Sequence, residues 1–163
     1  MGSLYSAALD RVDRLVRLAI IAAGAVMIAI VSLQVLLRYG FNTSLDWSDE
    51  VSRLLFVWCM FLAIPLGIRE GAHVGIELLT AHIPVAVRAA LSKGCALVAA
   101  VLMVFVVWQS IRVAMVTWDE LMQSLNISSG WFMVPVTLAA AHGFLHLVQL
   151  LWRDPVRTVR AVE

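Results

Sequence analysis

The chain has 163 residues, of which 62% are hydrophobic and 14% are charged, whereas charged residues make up about 25% of an ordinary soluble domain. Its net charge of +1 argues against a nucleic-acid partner. The two cysteines, Cys59 and Cys95, lie in apolar segments and form no CxxC pair, so we predict neither a dithiol redox site nor a zinc site.

Four uncharged apolar runs predict four transmembrane helices, because a helix needs about 20 apolar residues to cross a bilayer. We place the spans at about residues 18–38, 47–69, 92–114 and 131–152. The second run, Leu54–Ile68, is too short to cross alone, so its helix has to begin near Trp47. The fold class is therefore an all-α integral membrane protein, with a single domain over residues 1–163.

The N-terminal segment, residues 3–16, alternates charged side chains with apolar ones such as Val12 and Leu15. This pattern favours a short amphipathic helix that lies along the inner membrane surface and leads into the first span. We expect a second interfacial helix at about 73–83, where Ile76 and Leu79 fall on one stripe.

Charged side chains concentrate where the second span begins. Asp49 and Glu50 precede Arg53 by four and three residues, so on a helix either carboxylate can reach the guanidinium. Arg38, at the end of the first span, should emerge at the same level. One interpretation is an intramolecular ion pair that fixes two helix ends.

The other interpretation is that this segment contacts another subunit. Trp58 lies in the middle of its span, away from either membrane surface, and so should pack against a helix of this chain or of a partner. We call the residues concerned the outer cluster; they are Arg38, Trp47, Asp49, Glu50, Arg53 and Trp58. Both interpretations remain open from the sequence.

The distribution of Lys and Arg predicts that both termini are cytoplasmic. With that orientation the outer segments hold only Arg38, Arg53 and Arg112. The inner segments hold all the other basic residues, namely Arg11, Arg14, Arg17, Arg69, Arg88, Lys93, Arg153, Arg157 and Arg160.

Two histidines lie deep in the fourth span. His142, His146 and Gln149 share one helix face at i, i+4 and i+7, which is compatible with haem ligation, a proton relay, metal binding or interhelical hydrogen bonding. We favour hydrogen bonding, because a haem between helices usually needs a facing histidine, and His73 and His82 lie in the inner connection. A four-helix haem-binding redox protein using His142 and His146 is the alternative function.

Transport by the isolated chain is not predicted. None of the four apolar runs contains Asp, Glu, Lys or Arg, whereas a carrier needs paired charges or unwound helices at mid-membrane. A small exporter acting as a homodimer would need an ionisable residue within a span, and only the histidines qualify.

The chain resembles the DctQ-like family, the small membrane subunits of tripartite ATP-independent periplasmic (TRAP) transporters. The resemblance covers the four-span layout and is carried mainly by residues 38–77. The matching residues are Arg38-Tyr39, Phe41-Asn42, Leu45, Trp47, Asp49-Glu50, Arg53, Trp58 and Phe61, then the inner motif Arg69-x-Gly71-x-His73-Val74-Gly75-Ile76-Glu77, and finally Gly130-Trp131 and Pro135.

The resemblance implies a non-catalytic subunit in the bacterial inner membrane. We expect neither a cofactor nor a metal. It implies that the chain acts as a scaffold, contacting membrane lipids and a large transport subunit on a separate chain. That subunit would take up an organic anion with sodium, after delivery by a periplasmic binding protein. We expect the binding protein to contact the outer loops, with Asn42, Asp46 and Asp119 as candidates.

Overall fold

A computed structural model describes residues 2–69 and 85–152 and shows a helical protein. The helices are α1 (Gly2–Gly40), α2 (Ser48–Arg69), α3 (Val85–Val116) and α4 (Met133–Trp152), and a short 3-10 helix, Ser129–Phe132, precedes α4. All four α-helices are long and apolar enough to cross a membrane. The predicted all-α architecture with four candidate spans is therefore confirmed.

Helix α1 is longer than the first predicted span. It has 39 residues, so residues 3–16, which we expected to form a separate interfacial helix, continue the span in one unbroken helix. It ends where Asn42 adopts a positive φ of 54°, a conformation that asparagine tolerates better than most residues. The second expected interfacial helix, 73–83, lies outside the described residues.

The chain reverses direction between consecutive helices, but the packing order differs from the chain order. Helix α2 packs against α1 and α4, and α4 packs against both α2 and α3. Gly143 of α4 shows this placement, since a Cβ there would lie 3.2 Å from Ile68 of α2 and 3.7 Å from Met103 of α3. The order across the molecule is α1, α2, α4, α3.

Small side chains allow α4 to approach its neighbours closely. Ala139 and Ala140 are each 3% exposed, and Leu147 packs with Ala96 and Ala100 of α3 in the main apolar cluster. Small residues at such contacts are typical of helices in membranes, where association depends on close packing rather than on the hydrophobic effect.

The two helices at the ends of this order keep apolar surfaces exposed. The most apolar window of α1 contains no buried residue, and Ile21 and Ile28 are more than 60% exposed. On α3, Val98 and Val101 are similarly exposed. Apolar surface of this extent is compatible with lipid or with a partner's helices, but not with water.

Candidate functional sites: the Asp13 cluster and the outer cluster

A polar cluster with a buried centre joins three helices at the end of the molecule where α1 begins and α2 ends. We call it the Asp13 cluster; it consists of Asp10, Asp13, Arg69, His142 and His146. Asp13 itself is only 3% exposed. Burial of a carboxylate is costly unless charged or hydrogen-bonding groups surround it, and here both of its oxygens have partners.

The first oxygen of Asp13 faces the two histidines of α4. Its Oδ1 lies 2.8 Å from Nε2 of His142 and 2.9 Å from Nε2 of His146. The two Nε2 atoms are 3.1 Å apart, and Nδ1 of His142 is buried without a hydrogen-bond partner. The structure thus agrees with interhelical hydrogen bonding by the histidine pair, and the group they face on α1 is a carboxylate.

The second oxygen of Asp13 accepts a hydrogen bond from Nη1 of Arg69. Nη2 of the same guanidinium donates to Oδ1 of Asp10 at 2.5 Å. Arg69 therefore bridges two carboxylates that are three residues apart on one face of α1. Because a guanidinium offers several donors in a fixed plane, one side chain can hold both.

A tyrosine adds a further contact between α1 and α4. The Tyr5 hydroxyl donates to the main-chain oxygen of Leu145 at 2.9 Å, and its ring lies 6.1 Å from the Trp152 ring. The start of α1 is thus fixed to the last turns of α4 by Tyr5 as well as by Asp13.

The role of Asp13 does not follow from the amphipathic pattern of residues 3–16, which predicts a helix on the membrane surface. The signal was present in the sequence: Asp10 and Asp13 are the only acidic residues in an otherwise basic segment. A carboxylate that is buried on such a face needs basic or hydrogen-bonding partners, and Arg69 and the histidine pair provide them for Asp13.

The structure does not show the ion pair that the sequence suggested within the outer cluster. Both carboxylate oxygens of Glu50 accept hydrogen bonds of 3.0 Å from the main-chain nitrogen of Ser124. Asp49 instead accepts a hydrogen bond from Nε2 of Gln34 at 3.1 Å. The carboxylates therefore fasten α2 to the loop before α4 and to α1, rather than to Arg53.

The basic residues of the outer cluster remain at the surface. Within the described ranges neither Arg38 nor Arg53 forms an ion pair, and both are exposed. The Arg53 guanidinium lies 6.0 Å from the centre of the Phe132 ring. Trp47 is 38% exposed. These three side chains are accessible at the end of the molecule where α1 ends.

Trp58 packs within the chain. Its ring lies 6.3 Å from that of Trp131, which in turn lies 6.4 Å from Trp118. The three tryptophans join α2, the 3-10 helix and the turn after α3, so Trp58 contributes to the fold of this chain.

The expected loop residues lie at this same end. Asn42, Asp46 and Asp119 are exposed, and the bond between Glu50 and Ser124 places the two loops that carry them at one end of the bundle. Of the inner motif, Arg69 lies in the Asp13 cluster, whereas Gly71, His73 and Glu77 fall outside the described residues.

Comparison with known proteins identifies similarity to permease proteins of TRAP transporters. Residues 27–156 match the family model described as the DctQ component of tripartite ATP-independent periplasmic transporters. A putative TRAP transporter small permease protein of Haemophilus influenzae is 42% identical over 60 residues, which span 37% of each chain.

Two further relatives extend this comparison. Another putative TRAP transporter small permease protein of the same organism is 23% identical over 156 residues, covering 94% of this chain and 93% of the relative. The sialic acid TRAP transporter permease protein SiaT, also from Haemophilus influenzae, is 38% identical over 68 residues, which are 40% of this chain but 11% of that protein. Since the family model covers most of the sequence, the chain belongs to the DctQ family of TRAP transporter small permease proteins.

Proposed function

We propose that the chain is the non-catalytic small membrane subunit of a TRAP transporter and acts as a scaffold for a separate large transport subunit. The observation that carries this proposal is the family match over residues 27–156, which includes α2, α3 and α4. On this proposal the large subunit performs sodium-coupled uptake of an organic anion, which a periplasmic binding protein delivers.

A scaffold requires helices held in fixed relative positions, and the polar contacts of this chain support that role. Asp13 connects α1 to α2 through Arg69 and to α4 through His146. Ser110 and Thr137, whose hydroxyl oxygens are 2.8 Å apart, connect α3 to α4. Since hydrogen bonds between helices add to packing within a membrane, these links oppose sliding of one helix past another.

The match to SiaT supports a partner on a separate chain. The matched segment makes up only 11% of that permease, so most of that protein has no counterpart in the residues compared. We propose that the corresponding part of this transporter is the large subunit. The exposed apolar surfaces of α1 and α3 offer it, and membrane lipid, extensive contact area.

We propose an inner-membrane location with both termini in the cytoplasm. The bias of Lys and Arg supports this orientation. It places the Asp13 cluster toward the cytoplasm and the exposed loop residues Asn42, Asp46 and Asp119 toward the periplasm. There they would contact the binding protein.

An uptake assay tests the proposal. Cells that express the large subunit and the binding protein should accumulate the labelled organic anion only when this chain is also present. A matched control expresses the chain truncated after α2. Uptake that is equal with and without the intact chain, at equal amounts of large subunit in the membrane, would contradict the proposal.

A further inference from the structure

The Asp13 cluster brings together three buried side chains that are common metal ligands. We propose that Asp13, His142 and His146 form a binding site for a divalent transition-metal ion of the Zn²⁺ type, which joins α1 to α4. This inference revises the expectation from the sequence that the chain has no metal site. It does not rest on the proposed transport function.

The three ligand atoms already converge on one point. Asp13 Oδ1 lies 2.8 Å from one Nε2 and 2.9 Å from the other, and the two nitrogens are 3.1 Å apart. A tetrahedral zinc ion with ligands at about 2.0 to 2.1 Å separates them by about 3.3 Å. Each pair would therefore move apart by about 0.2 to 0.5 Å when the ion enters, which small side-chain rotations can supply.

Hydrogen bonding alone does not satisfy these three atoms. A neutral histidine can carry one proton on Nε2. If both Nε2 atoms carry protons, both donate to Oδ1 and the contact between the nitrogens has no acceptor. If only one does, the other nitrogen directs a lone pair at the carboxylate. A cation at the centre interacts favourably with all three atoms at once.

The histidine tautomer required for metal binding is available. Nδ1 of His142 is buried and has no hydrogen-bond partner, so no hydrogen bond has to break when the proton moves there and frees Nε2. The buried N–H then lacks an acceptor, a cost that the bond between Nε2 and the metal has to offset. Neutral imidazole nitrogen is the common protein ligand of such metals. His142 and His146 are also four residues apart on one helix face, a spacing at which two histidines bind one zinc ion.

The formal charges within the Asp13 cluster favour a cation of this class. Arg69 binds the other oxygen of Asp13 and also Asp10, so the two carboxylates outnumber the guanidinium and leave one formal negative charge. Two nitrogen ligands select zinc and related ions over Mg²⁺ and Ca²⁺, which prefer oxygen. Three protein ligands leave a fourth position for water.

Metal binding by the purified full-length chain in detergent tests this proposal. The protein should carry a purification tag without histidine and be treated with a chelator before Zn²⁺ is added. Bound zinc is measured by elemental analysis, and affinity by competition with a chromophoric chelator. We expect one ion per chain, and affinity at least roughly 100-fold weaker in D13N and H146Q, since even indirect partners of a metal contribute 10- to 100-fold.

The Ser110→Ala variant is the matched control, because it removes a buried hydrogen bond between helices without touching a ligand. It should bind zinc as the unmodified chain does. Co²⁺ added to the unmodified chain should give the visible absorption of a four-coordinate site, so the proposal remains testable if a ligand variant fails to fold. A helical, monodisperse chain that binds neither ion, or variants that bind as tightly as the unmodified chain, would overturn it.

Discussion

Arg69, the last residue of α2, donates a hydrogen bond to the buried carboxylate of Asp13 near the start of α1. The two residues are 56 positions apart in the chain. Their contact fixes the end of one candidate span against the beginning of another. Because Asp13 also faces His142 and His146, removing the guanidinium affects α4 as well.

The first prediction concerns Arg69→Ala. The substitution leaves a buried carboxylate without its cationic partner, and we expect a loss of about 1 to 3 kcal/mol of stability, less than for a fully buried pair because Arg69 is 43% exposed. For a chain of this length that corresponds to a melting temperature lower by roughly 3 to 10 °C. Thermal unfolding in detergent after chelator treatment measures it.

The compensating double variant is the control for this prediction. Adding D13N to Arg69→Ala removes the unpaired charge, so the double variant should regain part of the lost stability. A double variant less stable than Arg69→Ala alone would show that charge burial is not the source of the effect.

The second prediction concerns the loop before α4. Glu50→Ala removes the acceptor of the Ser124 amide, and a hydrogen bond to a charged group contributes about 1.5 to 3 kcal/mol. Amide hydrogen exchange at Ser124 should therefore become roughly 10- to 100-fold faster. The control is Asp49→Ala, which removes an exposed neighbouring carboxylate and should leave exchange at Ser124 unchanged. Equal protection of the Ser124 amide in both variants would contradict its hydrogen bond to Glu50.

The third prediction compares two glycines. A Cβ at Gly130 would lie 2.6 Å from Trp118 Cε3 and 3.2 Å from the main-chain oxygen of Ala114, whereas nothing lies within 4 Å of one at Gly94. Gly130→Ala should cost about 1 to 3 kcal/mol through overpacking. Gly94→Ala, within α3, should be neutral or stabilising by up to about 1 kcal/mol. Melting temperatures that fall equally in both variants would exclude this explanation.

The fourth prediction concerns contact with the large subunit. Arg38 and Arg53 are exposed, so reversing both charges with Glu should weaken association while leaving the fold of this chain intact. Arg112→Glu is the control for each single reversal, since Arg112 is also exposed and, like Arg53, lies near an aromatic ring, 5.2 Å from that of Trp108. The amount of co-purified large subunit is measured relative to the amount of correctly folded, helical small chain. If the double variant and the Arg112→Glu variant recover equal amounts, the surface around Arg38 and Arg53 is not part of the interface.

The sequence predicts the helices of this protein better than it predicts their contacts. Apolar runs identify four spans, because a bilayer sets the minimum length of a span; the second run meets that minimum only when its helix is extended back to about Trp47. The apolar pattern does not predict which groups bind the carboxylates of Glu50 and Asp13. Helix spacing suggested Arg53 as the partner of Glu50, but the main-chain nitrogen of Ser124 in the loop before α4 binds Glu50 instead. Asp13 reaches its partners because α1 continues without a break from its charged start into the span.

The histidine pair shows an intermediate case. Its spacing placed His142 and His146 on one face, and hydrogen bonding between helices was the favoured interpretation. The identity of the facing group depended on which helix packs there, and the packing order of α1, α2, α4 and α3 follows from tertiary contacts rather than from any local pattern.

The most direct test of the central proposal is co-purification of this chain with the large subunit from mild detergent. We expect a tagged copy of this chain to recover the large subunit in equal amounts, as a single species in size-exclusion chromatography. The scaffold role would be contradicted if this chain eluted alone as a folded helical protein, while the large subunit eluted separately and still supported uptake after reconstitution without this chain.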